Sequence, residues 1–152
     1  MRKEEIHKMK EINSMKMEFM SRSVNERFAR STAAAFISQL DPTLDELGDI
    51  KAVVSEAVTN SIVHAYPDKI GKILMKIRIF EKNVITVRDY GLGIEDVERA
   101  REPMFTTGGE DRSGMGFTIM ESFTDSLKIK SSAGRGTTVT MKMRLSQRAG
   151  LR

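Results

Sequence analysis

The chain has 152 residues, 39% of them hydrophobic and 30% charged, with a formal net charge of +4. That composition fits one globular domain with a core of its own. No apolar run approaches the length of a membrane span, "MRKEEIHKMKEINSMK" lacks the apolar segment of a secretory signal, and without cysteine neither disulfides nor a thiolate metal site can form. Only His7 and His64 are present, so a histidine-rich metal site is disfavoured. A cytoplasmic location is expected.

Residues 1–14 read as a charged leader outside the core, frayed or disordered, residues 15–146 as the domain, and 147–152 as a basic tail. "KMEFMS" (16–21) reads as a short edge strand. From Val24 to Leu40, Val24, Phe28, Ala29, Ala33, Phe36, Ile37 and Leu40 recur at helical spacing. Asp41-Pro42 ends that helix and starts a second, with proline in its first turn. The second runs to about Ala65 on a stripe of Leu44, Leu47, Ile50, Val54, Val58 and Ile62. The period then changes to two: Ile73, Met75, Ile77 and Ile79 alternate with Lys72, Lys76 and Arg78. "EKN" turns the chain into a strand at Val84–Arg88, a short helix follows at Glu95–Arg101, and residues 102–114 are glycine-rich and irregular. A helix at 115–123 and strands at about 125–131 and 137–145, joined by "SAGRG", complete the order. Two helices, then strand-strand-helix-helix-strand-strand, predict an α+β two-layer sandwich with helices on one face of a mixed sheet.

Charge is uneven. Residues 126–152 hold seven cations and no acid, which leaves −3 on the first 125 residues. Lys142 and Arg144 alternate with Met141, Met143 and Leu145, the pattern of a strand with one solvated face. No aromatic residues interleave with them to stack on bases. No direct nucleic-acid partner and no membrane are therefore expected, and docking of an acidic protein stays open.

Four local signals carry chemistry. "RSGMGFTIM" (112–120) places Gly114 and Gly116 at the opening of a helix. It is not a Walker loop, because no lysine follows Gly116, and not a dinucleotide fingerprint, because residue 119 is Ile. "SEAVTNSIVHA" (55–65) aligns Glu56, Asn60 and His64 on one side of the second helix, away from the apolar stripe, where periodicity alone predicts a solvated face. "RDYGLGI" (88–94) ends a strand with Asp89 and follows it with Gly91 and Gly93; read alone, it is an Asp-capped turn. "RGTTVTM" sets Thr137 at the entrance to the last strand, where its type alone reflects strand propensity.

In this order the four motifs resemble the ATP-binding domain of the GHKL superfamily, which includes histidine kinases, type II topoisomerases, Hsp90 chaperones and MutL proteins. The resemblance covers residues from about 20 to 145. It implies ATP and Mg²⁺ as cofactors. Gly114 and Gly116, with Met115 and Phe117, would lie against the phosphates. Asp89 would accept a hydrogen bond from the adenine amino group, with Gly91 and Gly93 leaving room for the base. Asn60 would offer an oxygen to Mg²⁺, and Glu56 would take a proton from an attacking hydroxyl. Thr106, Thr107, Arg112 and Ser113 match the ATP lid, and Thr137 completes the set. Within the superfamily, "NERFAR", "AREPMFTT" and "RSGMGFTIMESF" are similar to the sporulation anti-sigma F factor family. With roughly 20 residues read before the domain, the dimerisation helices of a histidine kinase are not expected. This closer resemblance implies a protein serine kinase that binds a sigma factor as a homodimer and phosphorylates an anti-anti-sigma factor, with Arg30 on the partner face. His64-Ala65 stands where His-Gly is usual. A nucleotide-gated binding module without phosphotransfer is the alternative, and Glu56 discriminates, since such a module needs no carboxylate there.

Overall fold

The structure, a computed structural model, describes residues 10–80, 83–89, 91–94, 97–102 and 116–145. Strand β1 (Asn13–Met20) leads into helix α1 (Val24–Ile37), which tightens into a 3₁₀ turn at Ser38–Leu40. Helix α2 (Leu44–Asn60) continues through a π turn at Ser61–Ala65. Strands β2 (Lys72–Ile79) and β3 (Asn83–Asp89), helices α3 (Val97–Ala100) and α4 (Gly116–Ser122), and strands β4 (Ser126–Ser132) and β5 (Gly136–Met143) follow.

Each helix forms for a local reason. In α1, Ala29, Ala33 and Ile37 recur every fourth residue and are all buried. Alanine at two of these positions lets α1 lie close to α2. In α2, Ile50, Val53, Val54, Ala57 and Val58 form the 3-4 apolar pattern of a helix with one covered face. The chain turns between the two helices at Asp41, which adopts φ +52. Thr43, not Pro42, then opens α2. Its hydroxyl accepts from the Glu46 backbone N–H at 3.1 Å while the Glu46 carboxylate accepts from the Thr43 N–H at 2.8 Å, a reciprocal capping box. Pro42 stands one residue outside the helix it was expected to begin. Val24 and Leu44, assigned to apolar stripes by spacing, are 72% and 87% exposed. Each is the first residue of its helix, and a helical side chain leans over the turn before it. Here that turn does not exist.

The sheet order is β1-β2-β3-β5-β4, and all four pairings are antiparallel. This corrects the expected mixed sheet. The helical crossover after β3 does bring β4 back in a parallel sense, but β5 inserts between them, so the parallel strands never pair. β1 starts at Asn13, and Ile12 already donates its N–H to the Ile79 carbonyl at 2.8 Å, so the end of the expected leader belongs to the sheet edge. Ile73, Met75, Ile77 and Ile79 with Val139, Met141 and Met143 form the face beneath the helices. Each such side chain, once fully buried, contributes about 1.5–3 kcal/mol. Their alternate neighbours Lys76, Lys128 and Lys130 are exposed on the other face.

Candidate nucleotide-binding site

The central helix α2 carries the polar site away from its buried stripe. Glu56 and Asn60 are one turn apart and half-buried. They do not form a solvated face, because α4 lies across them. A Cβ added to Gly116, the first residue of α4, would stand 3.1 Å from Glu56 Oε2 and 3.2 Å from both Asn60 Oδ1 and Asn60 Nδ2. A larger residue there would push the ends of these two side chains aside by a few tenths of an ångström. Phe117, the next residue, packs partly buried against the core.

The second part of the site gathers below the end of α2. At the π turn the chain presents the Ala65 carbonyl, which accepts from the Leu92 N–H at 3.1 Å. A Cβ on Gly91 would stand 2.2 Å from that same oxygen, so Gly91 is buried flat against the turn. Gly93, at φ +78, lies so close to the β4–β5 hairpin that a Cβ would meet the Ser132 carbonyl oxygen at 2.3 Å. Gly134 donates its N–H to the Leu92 carbonyl at 2.8 Å, and Ile94 donates to Ser131 Oγ at 2.7 Å. The hydroxyls of Ser131 and Thr137 are 2.8 Å apart, and Thr137 is buried. Among the described residues, then, Gly91 and Gly93 leave room for neighbouring backbone. Thr137 belongs to the hydrogen-bonded strut that ties the glycine loop to the last hairpin.

A groove of about 400 Å³ opens between α1 and α2, lined by Arg27, Arg30, Ser31, Lys51, Ala52, Ser55 and Glu56. Arg30 reaches Glu26 at 3.6 Å, and Ser55 hydrogen-bonds the same carboxylate oxygen. Arg30 on α1 and Glu56 on α2 thus line the same groove. Asp89 is the last residue of β3, in register with Ile73. Thr106, Thr107, Arg112, Ser113, Gly114 and Met115 lie outside the described residues.

With this geometry in view, comparison with known proteins is decisive. Residues 19–143 match the histidine kinase-like ATPase domain. The chain is 54% identical over 136 residues to the anti-sigma F factor of Clostridium novyi (strain NT), covering 88% of this chain and 95% of that one. It is 53% identical over 142 residues to the anti-sigma F factor of Bacillus subtilis (strain 168), covering 91% and 97%. The chain belongs to the anti-sigma F factor family. Its fold is also similar to that of the RsbU and RsbW domains of a Mycobacterium tuberculosis protein, at a TM-score of 0.65 and 19% identity over 90% of this chain and 33% of that one.

For an anti-sigma F family member the donor set at Gly116 is chemically apt. Glu56 and Asn60 offer oxygen atoms, which a hard cation such as Mg²⁺ prefers. No cluster of three or more His, Asp or Glu able to hold a metal occurs among the described residues. No described helix is long and apolar enough to cross a membrane. Sequence reasoning missed Ser131 and the Ala65 carbonyl. Neither leaves a periodic mark, because the contacts that reach the glycine loop, Ile94 to Ser131 and Leu92 to Ala65, span long sequence separations.

Proposed function

We propose that this chain is an anti-sigma factor and an ATP-dependent protein serine kinase. In this reading it binds and inhibits a sigma factor, phosphorylates a serine of an anti-anti-sigma factor, and acts in the cytoplasm as a homodimer. The observation that carries the reading is the position of Glu56. Its carboxylate lies beside Asn60 at the first residue of α4, and Glu56 also lines the open groove between α1 and α2.

The residues then take the following roles. Asp89 accepts from the adenine amino group. Thr106, Thr107, Arg112, Ser113, Gly114, Met115, Gly116 and Phe117 surround the phosphates, with Arg112 offsetting charge on the γ-phosphate. Thr137 holds the floor of the site through Ser131. Asn60 ligates Mg²⁺, which supplies charge neutralisation for the phosphates. The acceptor serine enters along the groove. Its Oγ bonds to the γ-phosphorus, the bond from that phosphorus to the bridging oxygen of ADP breaks, and the hydroxyl proton passes to Glu56.

Glu56→Gln keeps the shape and removes the base. It should retain ATP and sigma-factor binding while phosphate transfer falls about 10²–10⁴-fold, the usual contribution of a general base. Labelled ATP with the two partner proteins and phosphosite mapping measures this. Transfer at the wild-type rate by the variant would remove Glu56 from the role. Partner binding without any transfer by the wild type would instead indicate a nucleotide-gated binding module.

A further inference from the structure

We propose that the face of the sheet against which no described helix packs is a second binding surface, one that contacts the phosphate backbone of a nucleic-acid duplex without reading its sequence. The strand register brings together cations that lie far apart in the chain. Lys16 on β1 faces Lys76 on β2. Thr140 on β5 faces Lys128 on β4, and Thr138 faces both Arg88 on β3 and Lys130 on β4. Lys142 follows two residues after Thr140 on the same face. Six cations, Lys16, Lys76, Arg88, Lys128, Lys130 and Lys142, are thus spread over all five strands. Among the described residues Lys72 and Arg78 on this face are paired, to Glu18 and Glu11, whereas Lys16, Lys76, Lys128, Lys130 and Lys142 take part in none of the ion pairs. Read segment by segment, the sequence argued against a nucleic-acid partner. Only the register adds the charges together.

Protection of sheet edges does not account for the pattern. Lysine on an edge strand blocks unwanted pairing, and β1 and β4 are edges. Lys76, Arg88 and Lys142, however, lie on the three inner strands, which have no free edge. Lys16 and Lys76 stand directly opposite each other, an arrangement that destabilises a sheet. An anion lying across them would relieve it.

The chemistry of the face selects the anion. A protein partner needs an apolar or aromatic centre to its interface, and between these cations lie mostly threonine and serine; Leu74 is half-buried, Val84 stands opposite Arg78, and the Phe80 ring just past the end of β2 is already covered by the Arg78 guanidinium at 4.7 Å. A single strand would need aromatic platforms for its bases. A bilayer is flat, while five strands, each rotated about 20–25° from the last, make a saddle that meets a cylinder better than a plane. The cations span about 19 Å across the strands, taking about 4.8 Å per step. The face lies on the side of the sheet away from Glu56 and Asn60, so it can be occupied whether or not the proposed kinase reading holds.

The test is fluorescence anisotropy of the full chain with a labelled duplex of about 20 base pairs and mixed sequence, titrated from about 50 to 200 mM salt. With up to six phosphates neutralised, log affinity should fall with log salt at a slope near −5, about a 10³-fold loss across that range. The triple variant Lys76→Gln, Lys128→Gln, Lys130→Gln should lower the slope by about 3, with an unchanged thermal unfolding midpoint by circular dichroism as the check on folding. A scrambled duplex should bind equally well. Absence of duplex binding at the lowest salt would overturn the proposal. So would an unchanged slope in the folded triple variant, tighter binding to the single strand, or binding only to vesicles of equimolar phosphatidylserine and phosphatidylcholine.

Discussion

Gly93 and Gly134 have nearly the same left-handed backbone, φ +78 and +76, but different surroundings. A Cβ on Gly134 meets nothing within 4 Å, whereas one on Gly93 meets the Ser132 carbonyl oxygen at 2.3 Å. The pair therefore separates backbone strain from crowding. Gly134→Ala should cost about 1–2 kcal/mol for the conformation alone. Gly93→Ala should cost at least about 1 kcal/mol more, because the hairpin must move away. Urea unfolding with a common slope compares them, and equal midpoints would show that the loop and hairpin are not truly in contact. The family resemblance assigns Gly93 to the nucleotide site, and the structure adds the hairpin backbone as a close neighbour. Spacing reveals that something comes close, never what. The same limit applies to Glu56 and Asn60. Their i, i+4 placement put both on one side of α2, but only the packing of α4 turns that side from a surface into a site.

At the scale of the element, α2 joins its capping box at one end to the π turn at the other. The N-terminal box anchors the helix, and the widened last turn aims the Ala65 carbonyl at Leu92. Gly48 sits between them, exposed, with nothing within 4 Å of an added Cβ. In a helix interior glycine costs about 0.5–1 kcal/mol relative to alanine. Gly48→Ala should stabilise the protein by about that amount in thermal or urea unfolding, and destabilisation would mean that the position packs against something. The helices and strands themselves were largely legible, since β2 alternates Ile73, Met75, Ile77 and Ile79 with polar residues and α2 repeats Ile50, Val54 and Val58. Their ends were less so. Local spacing counted Val24 and Leu44 as core and cannot know where the opposing layer stops. The π turn was invisible, because one inserted residue per turn leaves the apolar pattern almost unchanged.

At the scale of the molecule, Arg30 and Glu56 come from different helices and share one groove. If a protein partner seats there, Arg30→Ala should weaken binding of the sigma factor or the anti-anti-sigma factor by about 10-fold or more, the effect of losing an interface arginine. ATP affinity should not change. Unaltered capture of both partners would reduce Arg30 to a surface residue held by Glu26. The strand order was the least legible feature, because no local signal says that β5 enters between β3 and β4. That insertion has a consequence in time. Among the described strands β5 is the last to leave the ribosome, yet it is an inner strand of the sheet, seated between β3 and β4. Until residue 143 emerges, β4 has no neighbour and β3 is open along one side. In a nascent chain made at about 5–20 residues per second, the Thr137 strut therefore cannot close until β5 follows β4 out of the ribosome. The glycine loop and the last hairpin can be tied together only after residue 143 has emerged.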